Sequence, residues 1–435
     1  MNVVGRGRRA LDQAAKKIFP DHWSYLLGEV AMVALFVLFA TGIVLALFYD
    51  ASGDRTTYHG AYPPMQGVEM SRAYESVLQL SFDVPAGLLL RQVHHWAALV
   101  FVGAIVVHAL RVFFTGAYRR PRRVNYLVGL TLLILAITNG FFGVALPDDL
   151  LSGSGAQIGY SIALSVPVLG TGIASALFAG EFPSQEMVHR FWLLHVFVIP
   201  TLIVALFSLH MVLVWRQTHT QYPSEGPADE VVGSRLLPHH ALKTAALLGS
   251  MTAVLVGMGA FLQINPVWVH GPFQAAAATV PAGPDWYLMF VEGGLRILPA
   301  LHLVLGPVEI PSPFLAGIVV PALVFGTLAA WPFAEERLTG DRHVHHLLER
   351  PRDRPGRTAF GVAGLSFLAV LTLAANHDYL GGVLGIDVVA MTTAFRVLVV
   401  AAPVVLGTVA WRLARDLADA DPAPDRSPAA RREAR

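Results

Sequence analysis

The sequence has 435 residues, of which 54% are hydrophobic and only 14% are charged. A soluble domain needs about twice that share of charge to cover its surface, so the composition predicts a polytopic membrane protein. The net charge of +1 argues against nucleic acid as a partner, and the lack of cysteine excludes thiol catalysis, disulfides, iron–sulfur ligation and covalent haem attachment within this chain.

Eight apolar segments are long enough to cross a bilayer, for which about 20 residues are needed. They lie near 26–49, 92–115, 124–146, 188–215, 240–264, 312–334, 358–375 and 391–412. Loops rich in arginine or lysine alternate with long loops rich in proline and glycine, which predicts that both termini are cytoplasmic. No small-residue cleavage site follows the first apolar run, so we predict no removable signal peptide.

The chain divides into three predicted parts. The first four spans form an N-terminal domain at 1–215, and the remaining spans form a C-terminal domain at 216–415. Residues 416–435 include DADPAPDRSPAARREAR, whose composition predicts a disordered cytoplasmic tail.

The second and fourth spans each carry two histidines. His94 and His108 are 14 residues apart, which in an α-helix corresponds to about 40° of rotation and about 21 Å of rise. His195 and His210 are 15 residues apart, or about 60° and 22 Å, whereas His95 points away from the shared face. A buried histidine is usually a core side chain bonded to a backbone carbonyl, but four ionisable groups at matched depths in a membrane predict a function. A tetrapyrrole supplies four metal ligands and leaves two axial positions, so the spacing predicts two bis-histidine haems.

Glycines in the first and third spans repeat the same spacing. Gly28 and Gly42 are 14 residues apart, and so are Gly129 and Gly143. Glycine in a membrane helix often only permits close helix packing. Here the shared period predicts space for flat macrocycles at two depths.

An arginine accompanies each histidine of the second span. Arg91 precedes His94 by three residues and Arg111 follows His108 by three, which places each on the same side as its histidine. Such an arginine can simply extend to the membrane interface. The alternative, which we favour, is a guanidinium paired with haem propionates.

These residues resemble cytochrome b, the membrane core of the quinol–cytochrome c oxidoreductases. The match covers essentially the whole chain and includes the R-x-x-H and H-x-x-R flanks and PDWY at 284–287, a form of the family's Pro-Glu-Trp-Tyr motif. LPDDLLSG (146–153), HTQYP (219–223), LQINP (262–266) and ERLTGD (336–341) look most like the actinobacterial branch. The resemblance implies an all-α polytopic membrane protein with eight transmembrane helices and a di-haem four-helix bundle formed by the first four.

The resemblance also implies an activity, that of the cytochrome b subunit of a respiratory menaquinol–cytochrome c oxidoreductase in a bacterial plasma membrane. A low-potential haem b would lie on His94 and His195 near the outside, and a high-potential haem b on His108 and His210 inside. Quinol oxidation at the outer face would send one electron to a Rieske-type iron–sulfur subunit and then to a cytochrome c subunit, which we expect to be di-haem. The other electron would cross to reduce quinone at the inner face and so contribute to the proton-motive force. A homodimeric complex is implied, and attachment of a terminal oxidase in a supercomplex stays open.

Site residues at the outer face follow from the resemblance. Asp285 is the candidate proton acceptor and Tyr287 a candidate polar partner, while Pro284, Trp286 and Pro147 complete the menaquinol site. On its own, PDWY would be read as a turn with an aromatic anchor. PVLG, at 167–170, matches the family's outer P-x-x-G, beside which the iron–sulfur subunit docks, although alone it is merely a turn.

At the inner face, His219 and Lys243 are candidates for the quinone reduction site. Other branches of the family often have aspartate where this chain has Thr244, so the acidic proton donor is missing there. Asp229 or Glu230 could replace it, or either could be an ordinary loop charge. A second departure is Val144, where a tyrosine is common ahead of Pro147, so a hydroxyl near the outer pocket is lost.

Two other functions stay open. A di-haem quinone module could serve another redox partner such as a dehydrogenase, although PDWY and the long outer loops argue against it. A non-redox transporter could relay protons through the buried histidines, and its purified protein would be colourless. His343, His345 and His346 look like a metal site, but solvated or lipid-facing histidines are the more ordinary explanation in a basic loop.

Overall fold

The structure is a computed structural model that describes residues 15–223, 231–277 and 283–421. Within this part of the chain, eight helices are long and apolar enough to cross a membrane, which confirms the predicted fold class. We number them as spans 1 to 8: Trp23–Ala46, Gly87–Phe114, Arg123–Val144, Met187–Gln217, Leu236–Phe261, Ser312–Thr339, Pro355–Ala374 and Val388–Ala420.

Span 8 continues beyond the apolar run that predicts it. The helix ends at Ala420 because helix-favouring residues extend to that point and the next proline in the sequence is Pro422. The first five residues of the predicted tail, 416–420, are therefore helical. Residues 422–435 lie outside the described part of the chain.

Spans 4 and 6 each contain a π-helical turn, at Leu194–Val198 and at Leu315–Val319. A proline follows each turn by two residues, Pro200 and Pro321. Because proline has no N–H to donate, the regular hydrogen-bond ladder is interrupted and the helix widens by a residue. The turn in span 4 contains His195, so the rotation calculated for a regular helix between His195 and His210 does not apply.

Spans 1 to 4 form the bundle that positions the predicted ligands. Span 1 packs along span 2, and span 3 packs along span 4. Their shared core is apolar and includes Ala34, which is fully buried, and Ala136, which is 4% exposed. Small residues at these positions let the helix backbones approach closely, as is common in membrane bundles. Spans 7 and 8 pack against each other and against the helix Met289–Ile297.

The connecting loops carry short structured elements. The short helices are Arg72–Phe82, Leu150–Leu164, Gly170–Phe178, Val267–His270, Met289–Ile297 and His377–Leu384. Three antiparallel strand pairs are Ile18–Pro20 with Gly233–Arg235, Arg55–Thr57 with Glu69–Ser71, and His302–Leu305 with Val308–Pro311. The first pair joins the segment before span 1 to the loop after span 4, so the two predicted domains share a sheet.

Candidate functional site

The structure brings together His94 of span 2 and His195 of span 4. Their ring centroids are 6.2 Å apart, and the ring planes are inclined by 76°. Two imidazoles bound to opposite sides of one metal ion, with metal–nitrogen bonds of about 2 Å, have ring centres about 6 Å apart. The pair therefore has the separation that two axial ligands of one haem require.

Neighbouring groups orient both rings of this pair through Nδ1. His94 Nδ1 lies 2.9 Å from Thr41 Oγ1, and that hydroxyl donates to Val37 O at 2.7 Å, so it accepts from the imidazole. His195 Nδ1 donates to Asn139 O at 2.9 Å. A proton on Nδ1 leaves the lone pair of Nε2 for a metal, the usual arrangement of metal-binding histidines.

The second predicted pair, His108 and His210, lines a cavity of about 1150 Å³. Ligand pockets usually have volumes of about 300–1000 Å³, so this one has room for a macrocycle and a further molecule. Nδ1 of His108 is buried and has no hydrogen-bond partner among the described residues. No described residue therefore orients the His108 ring through Nδ1, in contrast to the rings of His94 and His195.

Each predicted glycine lies against one predicted ligand. A Cβ atom would lie 3.5 Å from the ring of His108 at Gly28, 3.2 Å from His94 at Gly42, 3.5 Å from His210 at Gly129 and 2.5 Å from His195 at Gly143. The glycines therefore make room for the imidazole rings, which adds to the space that their period predicts for the macrocycles. The approach is closest at Gly143, where a side chain could not fit without a shift.

Both arginines keep buried donors without acceptors in the described part of the chain. Arg91 Nη1 donates to Asn265 O at 3.0 Å, while its Nε and Nη2 atoms are buried and unpartnered. Nε and Nη2 of Arg111 are also buried and unpartnered, and its guanidinium lies 4.3 Å from the ring centroid of Tyr25. An arginine that merely reaches the interface would have hydrated donors, so this geometry favours pairing with an anionic group such as a propionate.

The PDWY motif packs against spans 2 and 3. Asp285 Oδ1 lies 3.0 Å from His95 Nε2, and Tyr287 Oη donates to Asp285 Oδ2 at 2.9 Å. Gly140 of span 3 leaves room for the Tyr287 hydroxyl, where a Cβ atom would overlap it. Burial, with the nearby Asp285 carboxylate, raises the pKa of Tyr287, so its hydroxyl stays protonated and can donate. His95 therefore belongs to this site, although the sequence predicts only that its side chain points away from the face that carries His94 and His108.

Two other outer-face candidates, Trp286 and Pro147, lie beside span 2 and just beyond span 3. The Trp286 ring is 39% exposed and passes 3.7 Å from the Cβ position of Gly103 in span 2. Pro147 is buried just beyond span 3, where Tyr49 Oη donates to Leu146 O at 2.7 Å. Asp148 follows it, and burial raises the pKa of that carboxyl to about 6.

The two inner-face candidates are placed differently. His219 lines the large cavity, and its ring centroid lies 4.8 Å from that of Phe19. Burial lowers the pKa of His219 to about 4, so the ring is neutral at pH 7. Lys243 is 52% exposed and its Nζ donates to Asp21 Oδ1 at 2.5 Å, and it does not line the cavity. The structure therefore puts only His219 in the pocket and Lys243 near its rim.

A carboxylate that the motifs do not identify also lines this cavity. Glu29 follows Gly28 on span 1, and Thr244 Oγ1 donates to its Oε2 at 2.8 Å. His240 Nε2 lies 3.4 Å from Glu29 Oε1. Asp229 and Glu230 lie outside the described residues.

The histidines after span 6 do not form a metal site. His345 Nε2 lies 3.0 Å from Asp341, and Nδ1 lies 3.0 Å from Arg119 Nη1, so the ring belongs to an ion-pair network. In residues 15–223, 231–277 and 283–421, no group of three or more histidine, cysteine or carboxylate side chains is arranged to hold a metal ion.

Comparison with known proteins decides the family. The family model described as "Cytochrome b(N-terminal)/b6/petB" matches residues 99–272. A relative from Mycobacterium leprae (strain TN), named cytochrome bc1 complex cytochrome b subunit, is 46% identical over 405 residues, which are 93% of this chain and 73% of the relative. The chain belongs to the cytochrome b family. A relative of the same name from Streptomyces coelicolor is 42% identical over 90% of this chain and 72% of its own length.

A solved structure shares the fold of this cytochrome b. The chain described as "Hyperthermophilic respiratory Complex III" aligns with a TM-score of 0.65 at 19% identity, over 91% of this chain and 93% of that chain. The predicted membership in the actinobacterial branch is confirmed, since the relatives come from Mycobacterium, Corynebacterium and Streptomyces. This cytochrome b is therefore a multi-pass membrane subunit of a quinol–cytochrome c oxidoreductase, a multi-subunit complex, and it binds haem b.

Proposed function

We propose that this cytochrome b holds two b haems, one ligated by His94 and His195 and the other by His108 and His210. The observation that carries the proposal is the 6.2 Å separation of the first pair, with both Nδ1 atoms engaged. The second pair is supported by the cavity that it lines and by the matching glycines. A b haem at each level supplies reversible one-electron transfer, and the unpartnered donors of Arg91 and Arg111 would hold its propionates.

We place menaquinol oxidation at the end of the bundle that contains Asp285. Asp285 accepts the proton as an O–H bond of the quinol breaks and an O–H bond forms on the carboxylate. His95 Nε2 lies 3.0 Å and 3.2 Å from the two carboxylate oxygens and Tyr287 donates to Oδ2, so the side chain is held in one orientation before substrate binds. Pro284, Trp286 and Pro147 supply the apolar walls.

We place quinone reduction at the opposite end, where His219 lines the cavity. Its neutral ring and its buried Nδ1, which has no partner among the described residues, suit a hydrogen bond to a quinone oxygen. Lys243 is half exposed and paired with Asp21, so its role is at the entrance. Together the two reactions release protons outside and take them up inside, which contributes to the proton-motive force.

The surface near Pro167 and Gly170 supports a docking partner at this loop. Val168 is 87% exposed and Leu169 is 63% exposed, so this turn presents apolar side chains on a loop. We propose that a Rieske-type iron–sulfur subunit docks here and passes electrons to a di-haem cytochrome c subunit, in a homodimeric complex of the bacterial plasma membrane with a cytoplasmic N-terminus. Co-purification of both subunits separates this assembly from a di-haem module that serves a dehydrogenase.

The test is menaquinol–cytochrome c reductase activity of the purified complex. Asp285→Asn should lower kcat about 100-fold with haem content unchanged, because the carboxylate that takes the proton is removed. The matched control is Asp54→Asn, an exposed carboxylate on the loop after span 1. Equal activity in the two variants, or no activity in the unsubstituted complex, would contradict the proposal.

A further inference from the structure

Cytochromes b outside the actinobacterial branch often have an aspartate directly after the lysine at the inner end of the bundle. In this chain that position is Thr244, whose Oγ1 donates to Glu29 Oε2 at 2.8 Å. Glu29 of span 1 thus brings a carboxylate into contact with the side chain at position 244.

Glu29 is positioned to meet a ligand. Its side chain is 16% exposed and lines the same cavity as His219 and His108. Thr244 Oγ1 donates to Oε2 of Glu29, and His240 Nε2 lies 3.4 Å from Oε1 of Glu29. His240 is itself fixed by stacking on Phe19, with ring centroids 4.4 Å apart.

We propose that Glu29 is the proton donor of the inner quinone reduction site, with His240 as the group that resupplies it. This inference rests on the proposed function. Reduction of a quinone to a quinol takes two electrons, which derive from quinol oxidation, and two protons, one for each carbonyl oxygen. In the step assigned to Glu29, its carboxylic O–H bond breaks and an O–H bond forms on one quinone oxygen. The carboxylate then regains a proton from water on the inner side by way of His240.

The experiment isolates the inner reaction in the purified complex. An Asp285→Asn background slows the outer reaction about 100-fold. The b haems are then reduced chemically, and menaquinone is added while haem oxidation is followed by stopped-flow absorbance. Glu29→Gln should slow haem oxidation 10- to 100-fold, because general acid catalysis is lost and the side chain keeps its size. Asp416→Asn, an exposed carboxylate on span 8, is the control and should leave the rate unchanged.

A rescue distinguishes proton donation from a structural role. Adding Thr244→Asp to Glu29→Gln restores one acid in the same place, and the rate should recover to within about tenfold of the parent. A Glu29→Gln rate within threefold of the parent would overturn the inference, and so would a loss that neither Thr244→Asp nor Glu29→Asp relieves. Should Glu29→Gln fail to assemble, Thr244→Val removes only the hydroxyl contact, and an unchanged rate in that variant would also overturn it.

The two proposals fail in different ways. If the unsubstituted complex shows no b-haem spectrum or no reductase activity, the proposed function is wrong. If it shows both, and Glu29→Gln oxidises its b haems as fast as the parent, only the assignment of Glu29 is wrong.

Discussion

His95 Nε2 lies 3.0 Å from Asp285 Oδ1, so the residue next to a proposed haem ligand contacts the carboxylate of the PDWY motif. His94 and His95 are consecutive on span 2, and about 100° of helical rotation separates their side chains. One ring lies 6.2 Å from His195, centroid to centroid, and the other faces Asp285. A single helical turn therefore joins the proposed electron and proton routes of quinol oxidation.

His95 is expected to act by positioning Asp285. His95→Ala should lower kcat for menaquinol oxidation about tenfold or more with KM little changed, because Asp285 loses the contact that fixes Oδ1. His95→Gln keeps an N–H donor and should retain most of the activity. The exposed His59 provides the control substitution, His59→Gln. Full activity in His95→Ala, measured as cytochrome c reduction, would show that the contact is incidental.

The four glycines should differ in their tolerance of alanine. A Cβ atom at Gly143 would lie 2.5 Å from the His195 ring, whereas one at Gly28 would lie at an ordinary 3.5 Å from His108. Gly143→Ala should therefore displace His195 and weaken or remove the haem of that pair, while Gly28→Ala should keep both haems. Reduced-minus-oxidised spectra of the purified complexes measure this. If the two variants lose haem equally, the arrangement of rings against glycines is wrong.

Thr41 should tune the haem bound to His94. The hydroxyl accepts a hydrogen bond from His94 Nδ1 at 2.9 Å, which strengthens the imidazole as a ligand and favours oxidised iron. Thr41→Val should raise the reduction potential of that haem without removing it, as followed by redox titration of the b bands. Thr131→Val, an exposed threonine on span 3, should change nothing. A potential that stays the same or falls in Thr41→Val would rule out this hydrogen bond.

His219 should make the fold sensitive to acid. Burial lowers its pKa to about 4 from an ordinary 6.5, so the unfolded chain takes up a proton before the folded chain does. Stability is thus lost as the pH falls from about 6.5 toward 4, by on the order of 2 kcal/mol at pH 5. His219→Gln should lose less thermal stability than the parent between pH 7 and pH 5, with b-haem release as the readout. The same loss in both would show that other groups cause it.

Much of this arrangement could be predicted because helical periodicity relates sequence spacing to depth and rotation. Eight apolar runs predict the eight spans, and the shared spacing of glycines and histidines predicts space for flat macrocycles at two depths. The glycine period alone does not reveal that the glycines also accommodate the rings.

The remainder depends on contacts between distant segments. Glu29 and Thr244 are far apart in sequence, and no motif links them. The sequence around Lys243 and Thr244 therefore gives no indication that Glu29 supplies a carboxylate there. The family resemblance assigns Lys243 to the quinone site, whereas in the structure its Nζ pairs with Asp21 and the side chain does not line the cavity. The π-helical turn around His195 could be predicted from Pro200, because a proline within a helix removes a backbone N–H donor and interrupts the regular hydrogen bonds.

The most direct test of the account is the b-haem content per chain in the purified complex and in two variants. We expect two b haems per chain in the unsubstituted protein. His108→Ala should keep only the haem of the His94–His195 pair, and His94→Ala only that of the His108–His210 pair. A content of one haem or none in the unsubstituted protein, or two in either variant, would contradict the ligand assignment.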